Sequence, residues 1–295
     1  MTKGRRILVT GATGFLGSHL ARRLLGAGWD VVAAKRRTSP LARIQDLIGR
    51  VELVDIDTVQ TESLFAGGRI DAVLHCATDY GRKEVSPPKI IEANLVLPLR
   101  LLEAASSSGA KVFVNTDTIL DKRVSHYSLS KRQFADWLAV YSSKLAGINV
   151  ALEHFYGPGD DPTKFVSRIV ADIVGGAERI ALTPGEQQRD FVYIDDVADA
   201  FMLLIERAEA LGPGFHRYEV GSGRNISIKE FAGLAARLAG NRSTRLDFGA
   251  VAYRDNEVME SRVDIGALQA LGWRPRVSLE EGLKRMIEAE REKAR

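Results

Sequence analysis

Short apolar runs alternate with helical patterns through the first half of the chain. Runs rich in valine, isoleucine and leucine predict strands at residues 7–9, 31–34, 51–54, 72–75, 112–115 and 148–152. Helical spacings predict helices at residues 15–27, 88–107 and 128–145, the second with a kink or break at Pro98. Short buried strands that alternate with helices indicate an α/β fold with a doubly wound parallel sheet. Ligands of such sheets bind beyond the carboxyl ends of the strands.

A glycine-rich segment follows the first predicted strand. Gly11, Gly14 and Gly17 lie where an apolar run ends and a helical pattern begins. Glycines in such a turn close it, let a ligand approach the backbone and let helix and strand pack closely. The start of a helix also favours anions, because of its N–H groups and its dipole. A strand, a glycine turn and a helix in this order predict a pyrophosphate site, and therefore a bound dinucleotide.

The alternation loosens after about residue 155. Glycine and proline predict a loop over 157–162, and helices are expected at 163–174, 227–238 and 279–290. We therefore predict a Rossmann-type dinucleotide-binding domain over residues 1–155 and a smaller C-terminal α/β substrate lobe over 156–295. A strand-like segment at residues 189–194 is expected to return to the first domain, so that a stretch near 189–210 belongs to it.

Three basic residues, Lys35, Arg36 and Arg37, follow the second predicted strand. Lys35 stands where folds that prefer NAD place an acid that accepts from the ribose 2′-hydroxyl. Cations instead attract the 2′-phosphate of NADP, so we predict NADP(H) as the cofactor rather than NAD(H). Asp55, after the third strand, is expected to accept a hydrogen bond from the adenine amino group. Small residues at 76–78 would let the backbone pass under the cofactor.

A hydroxyl, a phenol and an amine follow the fifth predicted strand. Tyr127 and Lys131 lie one helical turn apart and therefore share a helix face. A nearby ammonium favours the phenolate, so Tyr127 is expected to act as a general acid or base near neutral pH. Thr116, at the strand end, is placed to bond the same substrate oxygen. Thr116, Tyr127 and Lys131 are the predicted catalytic residues.

These motifs together resemble the extended short-chain dehydrogenase/reductase family of nucleotide-sugar epimerases, dehydratases and reductases. The resemblance rests on the glycine turn, the Tyr127/Lys131 pair and three further segments, at residues 156–160, 189–197 and 271–275. It implies that Tyr127 transfers a proton and that Lys131 holds the nicotinamide ribose and lowers the tyrosine pKa. It also implies that Arg189 and Arg254 bind the diphosphate of a nucleotide-sugar substrate.

The candidate site residues form two overlapping sets. The predicted cofactor contacts are Gly11, Thr13, Gly14, Phe15, Leu16, Lys35, Arg36, Arg37, Asp55, Ile56, Cys76, Ala77, Thr78, Asn94, Tyr127 and Lys131. The predicted substrate contacts are Thr78, Tyr80, Thr116, Asp117, Thr118, Tyr156, Arg189 and Arg254. No metal site is predicted. The resemblance further implies a homodimer through a four-helix bundle built from the helices near 88–107 and 128–145.

Several strings are similar to a narrower group, the 4-ketoreductases of the CDP-abequose synthase type. They lie at residues 77–82, 115–118, 153–161 and 253–257. This resemblance implies NADPH-dependent reduction of a nucleotide-linked 4-keto-deoxysugar to the 4-hydroxy sugar, in deoxysugar biosynthesis. Thr118 stands where sugar 4,6-dehydratases have a glutamate base, so water elimination is not expected. The stretch between Thr116 and Tyr127 is short for the family and lacks much of the usual loop over the sugar.

Two other functions stay open on the sequence. A UDP-hexose 4-epimerase keeps NAD tightly bound and reuses it, which favours an acid at position 35 over the lysine found there. A non-catalytic sensor that binds dinucleotide has no need for the three predicted catalytic residues together. Consumption of NADPH with a keto sugar separates the reductase from both.

The composition of the chain argues against several other classes of protein. A net charge of +3 over 295 residues gives no reason to expect nucleic-acid or membrane binding, and no apolar run approaches the ~20 residues of a membrane span. The single cysteine cannot form an intramolecular disulfide and favours a reducing compartment. No leader is visible before the first strand. We therefore expect a cytoplasmic protein.

Overall fold

The computed structural model describes residues 4–66, 70–82 and 85–293. Its strands are β1 (Arg6–Thr10), β2 (Asp30–Lys35), β3 (Glu52–Asp55), β4 (Ala72–His75), β5 (Val112–Thr118), β6 (Ala146–Leu152), β7 (His154–Tyr156), β8 (Arg179–Leu182), β9 (Gln188–Tyr193), β10 (Gly214–Val220), β11 (Asn225–Ser227) and β12 (Arg245–Phe248). Its α-helices are α1 (Phe15–Gly26), α2 (Ser63–Ala66), α3 (Pro87–Ile91), α4 (Leu97–Ser108), α5 (His126–Tyr141), α6 (Phe165–Val174), α7 (Ile194–Leu211), α8 (Ile228–Leu238), α9 (Gly266–Ala270) and α10 (Leu279–Lys293). A 3₁₀ helix covers Ala42–Leu47, and a π-helical segment covers Glu92–Val96.

The chain divides into two compact units. The first holds residues 4–152 and 198–218, and the second holds residues 153–197 and 219–293. The assignment of a dinucleotide to one part and a nucleotide sugar to the other stays a prediction. None of the helices within the described ranges combines the length and the apolarity that a membrane crossing requires.

The first unit is built on a seven-stranded sheet in the order β10-β6-β5-β4-β1-β2-β3. The strands from β1 to β6 pair in parallel, and β1, β4 and β6 are buried almost throughout. Strands buried on both faces are typical of a sheet that helices cover on both sides. The strand order reverses between β1 and β4, where the carboxyl ends leave a crevice for a ligand. The predicted α/β fold with a doubly wound parallel sheet is thus confirmed.

Strand β5 is longer than the sequence predicts. The predicted strand ends at Asn115, but β5 runs to Thr118 and pairs with β6 along its whole length. Asn149 on β6 explains the extension, because its side chain hydrogen-bonds to both Asn115 and Asp117. These cross-strand bonds satisfy polar side chains that would otherwise favour a loop. The predicted site residues 116–118 therefore lie within the strand instead of after it.

The helix predicted at residues 88–107 is present but changes type part of the way along. The π-helical segment Glu92–Val96 joins α3 to α4, and Pro98 lies in the first turn of α4. Proline lacks a backbone donor, and a π-helical turn is one way for a helix to absorb the missing bond. The break predicted at Pro98 is confirmed in this form. The segment turns Asn94 fully into the interior.

The second unit carries two small sheets. One has the strand order β11-β9-β7, and in the other β12 pairs with β8 in parallel. Phe191 packs against Phe231 with ring centroids 4.3 Å apart, and Phe165 joins them in the core. A strand over 189–194 is confirmed, but β9 pairs with β7 and β11 in this unit. The chain rejoins the first unit at residue 198.

Candidate active site

The glycine turn closes tightly at the carboxyl end of β1. Gly11 has φ = +64°, a conformation that favours glycine, and the Gly14 N–H donates to the Gly11 carbonyl at 2.8 Å. A Cβ atom on Gly11 would lie 2.7 Å from the Ala77 nitrogen, and one on Gly17 would overlap the Gly11 carbonyl oxygen. Helix α1 has no side-chain cap at Gly14 and no acidic residue in its first turn. This turn fits a pyrophosphate, which needs close backbone approach and an uncapped helix start.

Lys35, the last residue of β2 and the first of the three basic residues, is already paired. Lys35 and Asp55 are register partners in the ladder of β2 and β3, and their charged groups form an ion pair. The Arg37 backbone N–H donates to Asp57 at 3.0 Å, which fixes the loop after β2. With Lys35 neutralised by Asp55, the exposed cations at this strand end are Arg36 and Arg37. Strand register decides this pairing, and register is not visible in the sequence.

A buried asparagine holds the loop that follows β4. Asn94 accepts from the Asp79 N–H and donates to the Asp79 carbonyl, both at 2.8 Å. Its amide also donates to the Ser130 hydroxyl at 3.1 Å, and that hydroxyl donates to the Tyr127 carbonyl at 2.8 Å. Asn94 therefore ties the loop that carries Tyr80 to the helix that carries Tyr127. A direct contact between Asn94 and the cofactor stays a prediction.

His75 is the last residue of β4, and Cys76, a predicted cofactor contact, follows it. The Nδ1 atom of His75 hydrogen-bonds to the Thr10 hydroxyl at 2.8 Å. Burial, and then the nearby Lys131, lower the pKa of His75 well below 6.5, so its ring is neutral. Burial raises the pKa of the Cys76 thiol to about 12, which leaves it protonated and unreactive. Ala77 and Thr78, which follow in the chain, are partly buried.

Helix α5 places Tyr127 and Lys131 beside the end of β5. Ser125 and Ser128 form a reciprocal capping box, with the Ser128 N–H donating to the Ser125 hydroxyl at 3.1 Å, so the helix begins just before Tyr127. Lys131 is 1% exposed, and its ammonium has no hydrogen-bond partner among the described residues. Burial lowers its pKa to about 8. A buried ammonium without an acceptor fits the ribose hydroxyls of a nicotinamide nucleotide, which would supply the missing acceptors.

The pKa of the Tyr127 phenol is shifted in the direction opposite to the one that the sequence predicts. Burial raises the pKa of its phenol well above 10, and Tyr80 and Asp117 raise it further. A hydrogen bond from Thr118 lowers the pKa, but by less than burial raises it. The expected lowering by Lys131 is therefore wrong for this structure, because desolvation of the phenolate is the largest effect. A phenol that stays protonated at neutral pH is suited to donate a proton.

Two threonines of β5 lie near the site, Thr116 and Thr118, whereas the sequence assigns the catalytic hydroxyl to Thr116 alone. The Thr116 hydroxyl is buried and donates to the His75 carbonyl at 3.0 Å. The Thr118 hydroxyl accepts from the Leu120 N–H at 3.2 Å, and Thr118 also lowers the pKa of Tyr127. Residues two apart in a strand share a face, which accounts for both threonines meeting this region. The Thr116 hydroxyl is thus committed to a backbone carbonyl, whereas Thr118, which the sequence placed among the substrate contacts, acts on the pKa of Tyr127.

Asn149 is a buried polar residue that the sequence reasoning missed. The Asn115 amide donates to the Asn149 side-chain oxygen at 2.7 Å. The Asn149 amide in turn donates to Asp117 Oδ2 at 2.7 Å. The other carboxylate oxygen of Asp117 accepts from the Thr118 N–H, also at 2.7 Å. The sequence does contain a sign of this role: Asn149 is the one asparagine in the apolar run 146–152. A buried amide at such a position requires hydrogen-bond partners.

A cleft of about 610 Å³ opens beside Tyr127 in the first unit. The Tyr80 ring is 43% exposed and lies 5.1 Å from the Tyr127 ring, centroid to centroid. The Arg82 guanidinium lies 5.2 Å from the Tyr80 centroid. The rest of the lining is mixed: Gly81, Val85, Ile90, Val124 and Leu129 are apolar or small, and Lys122, Arg123, Ser125 and His126 are polar or basic. The cleft therefore presents both apolar and basic side chains next to the Tyr127 phenol.

The two predicted diphosphate contacts lie near each other in the second unit. Arg189 forms an ion pair with Glu257 at 2.5 Å and donates to the Gln188 carbonyl at 2.8 Å. Burial lowers the pKa of Arg189, and the nearby positive charge of Arg254 contributes to the lowering. Arg254 itself is exposed. Glu257, which the sequence did not single out, thus holds one of these two cations in place.

Tyr156, a predicted substrate contact, is 1% exposed. Its ring packs edge-on against Phe191 and Tyr193, with centroids 6.5 and 5.6 Å away. Burial raises its pKa above the usual value of a tyrosine. These contacts support a packing role for Tyr156 within the second unit.

Two carboxylates of the second unit order its loops. Asp190 is fully buried and accepts from the Ser222 and Gly223 N–H groups at 2.6 and 2.7 Å. Glu153 accepts from the Ser261 hydroxyl and from the backbone N–H of the following residue. Sequence reasoning missed both, because a carboxylate that binds backbone has no sequence pattern of its own.

The carboxyl ends of β1 to β5 therefore gather most of the predicted cofactor contacts. Thr13 lies in the glycine turn, Phe15 and Leu16 are buried in the first turn of α1, and Ile56 directly follows β3. Across the part of the chain that the structure describes, no group of acidic, histidine or cysteine side chains is arranged to hold a metal ion.

Comparison with known proteins places these features among nucleotide-sugar enzymes. The model of the NAD-dependent epimerase/dehydratase family matches residues 7–221. CDP-abequose synthase of Salmonella muenchen is 34% identical over 292 residues, which cover 96% of this chain and 97% of that protein. UDP-glucose 4-epimerase of Thermotoga maritima, solved with UDP-glucose, has a TM-score of 0.85 and 25% identity, covering 98% of this chain and 100% of that one. UDP-glucose 4-epimerase of Thermus thermophilus, solved with NAD, has a TM-score of 0.82 and 26% identity, covering 97% of this chain and 99% of that one.

Proposed function

This chain belongs to the NAD-dependent epimerase/dehydratase family, and from that membership we propose that it is a nucleotide-sugar 4-ketoreductase. The family and its relatives indicate an enzyme of the oxidoreductase or epimerase type that acts on nucleotide sugars. The finer proposal is the reduction of a nucleotide-linked 4-keto-deoxysugar to the 4-hydroxy sugar, with NADPH as the cofactor. The likeness to CDP-abequose synthase over nearly the whole chain supports it.

The observation that carries the proposal is the placement of Tyr127 at the cleft, with its ring 5.1 Å from that of Tyr80 and one helical turn before the buried, unpartnered ammonium of Lys131. Reduction of a ketone leaves an alkoxide, which needs a proton as it forms. Burial keeps that proton on Tyr127 at neutral pH. Oxidation of a sugar hydroxyl, the first step of a 4-epimerase, requires a base at the same position. The same tyrosine would have to lose its proton to start an epimerase reaction, which is the difference that the assays below test.

In this proposal each of the site residues has a separate role in the reaction. Tyr127 donates its proton to the substrate oxygen, and Thr118 lowers the pKa of the phenol against the effect of burial. Thr116 stays in the proposal as the threonine that the family resemblance assigns to the substrate oxygen. The Lys131 ammonium, which has no partner among the described side chains, binds ribose hydroxyls of the cofactor. The nicotinamide cofactor supplies the hydride when it is bound.

The likeness to CDP-abequose synthase supports a deoxysugar as the substrate. The cleft itself is lined by both apolar and basic side chains. Tyr80 provides an exposed aromatic surface beside Tyr127, on a loop that Asn94 holds in place. Arg189 and Arg254, in the second unit, are the proposed contacts of the substrate diphosphate, since guanidinium binds phosphate bidentately.

A UDP-hexose 4-epimerase with bound NAD is the second candidate. The likeness to two UDP-glucose 4-epimerases, one solved with UDP-glucose and one with NAD, favours it. The lysine at position 35, where an NAD-binding epimerase is expected to have an acid, favours the reductase.

The homodimer and the cytoplasmic location remain part of the proposal. Exposed apolar side chains on α3 and α5 support the predicted four-helix interface: Ile91, Leu129, Trp137 and Val140. The measurement is the oligomeric state of the purified protein.

A coupled pair of assays tests the proposed function. The protein should consume NADPH in proportion to added 4-keto-6-deoxyhexose linked to a nucleoside diphosphate, with the CDP, dTDP, UDP and GDP forms compared. It should leave UDP-glucose unchanged. Protein that purifies with one tightly bound NAD per chain and interconverts UDP-glucose and UDP-galactose would instead be the epimerase.

Cofactor preference should depend on the two exposed arginines after β2. Replacing Arg36 and Arg37 together by serine removes the charges available to a 2′-phosphate. We expect the Kd of NADPH to rise at least about tenfold, a loss of ~1.4 kcal/mol, with little change in the Kd of NADH. Equilibrium binding of both dinucleotides measures this. Arg50→Ser is the matched control, since Arg50 is exposed but precedes β3. Equal losses for the two cofactors would contradict the NADP(H) assignment.

A further inference from the structure

A short segment of the second unit, residues 253–261, carries Arg254 and lies beside β9. Backbone hydrogen bonds of 2.8 and 3.3 Å join this segment to Gln188, the first residue of β9. Arg189 is the next residue of the strand. The segment that carries one of the two predicted diphosphate contacts is therefore fixed to the strand that carries the other.

Glu257 connects the two arginines directly. Its backbone N–H donates to the Arg254 carbonyl at 3.0 Å, which closes a turn between these two residues. Its carboxylate forms the ion pair with Arg189 at 2.5 Å, and the side chains of this pair are only 11% exposed for Arg189 and 15% for Glu257. One residue is thus bonded through its backbone to one predicted diphosphate contact and through its side chain to the other.

The ion pair leaves Arg189 able to bind a second anion. A guanidinium has five N–H donors. Arg189 gives one to Glu257 and one to the Gln188 carbonyl at 2.8 Å, so three have no partner among the described residues. A phosphate needs two donors for bidentate binding. Glu257 therefore holds part of the guanidinium and can orient it without excluding a diphosphate.

We propose that Glu257 is a positioning residue for the substrate diphosphate, because it fixes the Arg189 guanidinium relative to the turn that carries Arg254. The inference rests on the proposed function, in which these two arginines bind the diphosphate of a nucleotide sugar. A freely rotating guanidinium has to be immobilised when a ligand binds, and this loss of freedom lowers affinity. Glu257 and the Gln188 carbonyl immobilise it already in the free protein.

Positioning and repulsion by the carboxylate change affinity in opposite directions, so substitution of Glu257 separates them. In Glu257→Ala the Kd of a nucleoside diphosphate should rise about tenfold, the scale of one hydrogen bond to a charged group. Glu257→Gln keeps an oxygen acceptor for the guanidinium, so its Kd should lie between those of the native protein and Glu257→Ala. Glu260→Ala is the control, because Glu260 is exposed on the same segment and pairs with Arg262 at 2.9 Å. Its Kd should equal the native value.

Calorimetry gives the Kd values of CDP, dTDP, UDP and GDP on protein whose dinucleotide site is saturated, and steady-state assays give KM and kcat for the keto sugar. A higher Kd and KM in Glu257→Ala, with kcat and the Kd of NADPH unchanged, are the expected result.

An unchanged Kd with a lower Tm makes Glu257 purely structural, and a lower Kd makes it a competitor of the phosphate; either result overturns the proposal. If Glu257→Ala does not fold, Glu257→Met, which fills the space without an oxygen acceptor, takes its place. Native protein that binds none of the four diphosphates overturns both the positioning role and the proposed substrate class. Weakened binding in Glu257→Ala, of a protein that reduces no keto sugar, supports the positioning role and rejects the proposed function.

Discussion

Tyr127→Phe should lower kcat for ketone reduction by about a hundredfold to ten thousandfold, the usual contribution of general acid catalysis. The substitution removes one hydroxyl and leaves the aromatic ring, which lies 5.1 Å from Tyr80. It also leaves the start of α5 intact, because the capping box lies at Ser125 and Ser128. We therefore expect Tm and the Kd of NADPH to stay close to their native values.

Tyr141→Phe is the matched control for this substitution. Tyr141 is the last residue of the same helix and packs partly buried against the core of the first unit. It makes the same chemical change without touching the cleft, so kcat should remain near native. A folded Tyr127→Phe enzyme with near-native kcat would remove Tyr127 from the mechanism. A large drop in Tm with kcat preserved would make it a packing residue.

Local patterns allowed much of the first unit to be predicted from the sequence. Apolar runs and helical spacing depend on residues close in the chain, so β1 to β6 and the main helices agree with the predicted segments within a few residues. The glycine turn was equally visible, since Gly11 and Gly17 lie where backbone packing leaves no room for a side chain. The spacing of Tyr127 and Lys131 needed only the helix period.

The features that could not be predicted from the sequence depend on contacts between residues that are distant in the chain. The pairing of Lys35 with Asp55 follows from the register of β2 and β3. The length of β5 follows from hydrogen bonds made by Asn149, thirty-odd residues away. That extension places Thr118 within the strand, on the same face as Thr116.

The prediction that the pKa of Tyr127 is lowered was wrong for a related reason. The sequence places an ammonium one turn away, which argues for a lower pKa. Burial by the fold, together with Tyr80 from the loop after β4, acts in the opposite direction and is larger. Spacing along a helix specifies which groups are neighbours, but the desolvation of those groups depends on everything packed around them.

Gly17→Ala should destabilise the protein by about 3 kcal/mol, the upper part of the range for overpacking. Its Cβ atom would overlap the Gly11 carbonyl oxygen and would lie 3.1 Å from the Ala12 Cα. These are backbone atoms, so they cannot move aside as a flexible side chain does. To make room, α1 must shift away from β1, which opens the turn that Gly14 closes by donating to Gly11 at 2.8 Å.

Opening that turn should also weaken dinucleotide binding, because the helix start and the backbone no longer meet the pyrophosphate together. We expect the Kd of NADPH to rise at least about tenfold, measured by equilibrium binding beside thermal unfolding. Gly26→Ala is the control: Gly26 ends the same helix, and a Cβ there meets nothing within 4 Å. Alanine favours a helix over glycine by up to ~1 kcal/mol, so the control should be neutral or slightly stabilising. Equal Tm and equal Kd in the two variants would mean that α1 has room at Gly17 and that the turn does not depend on its glycine.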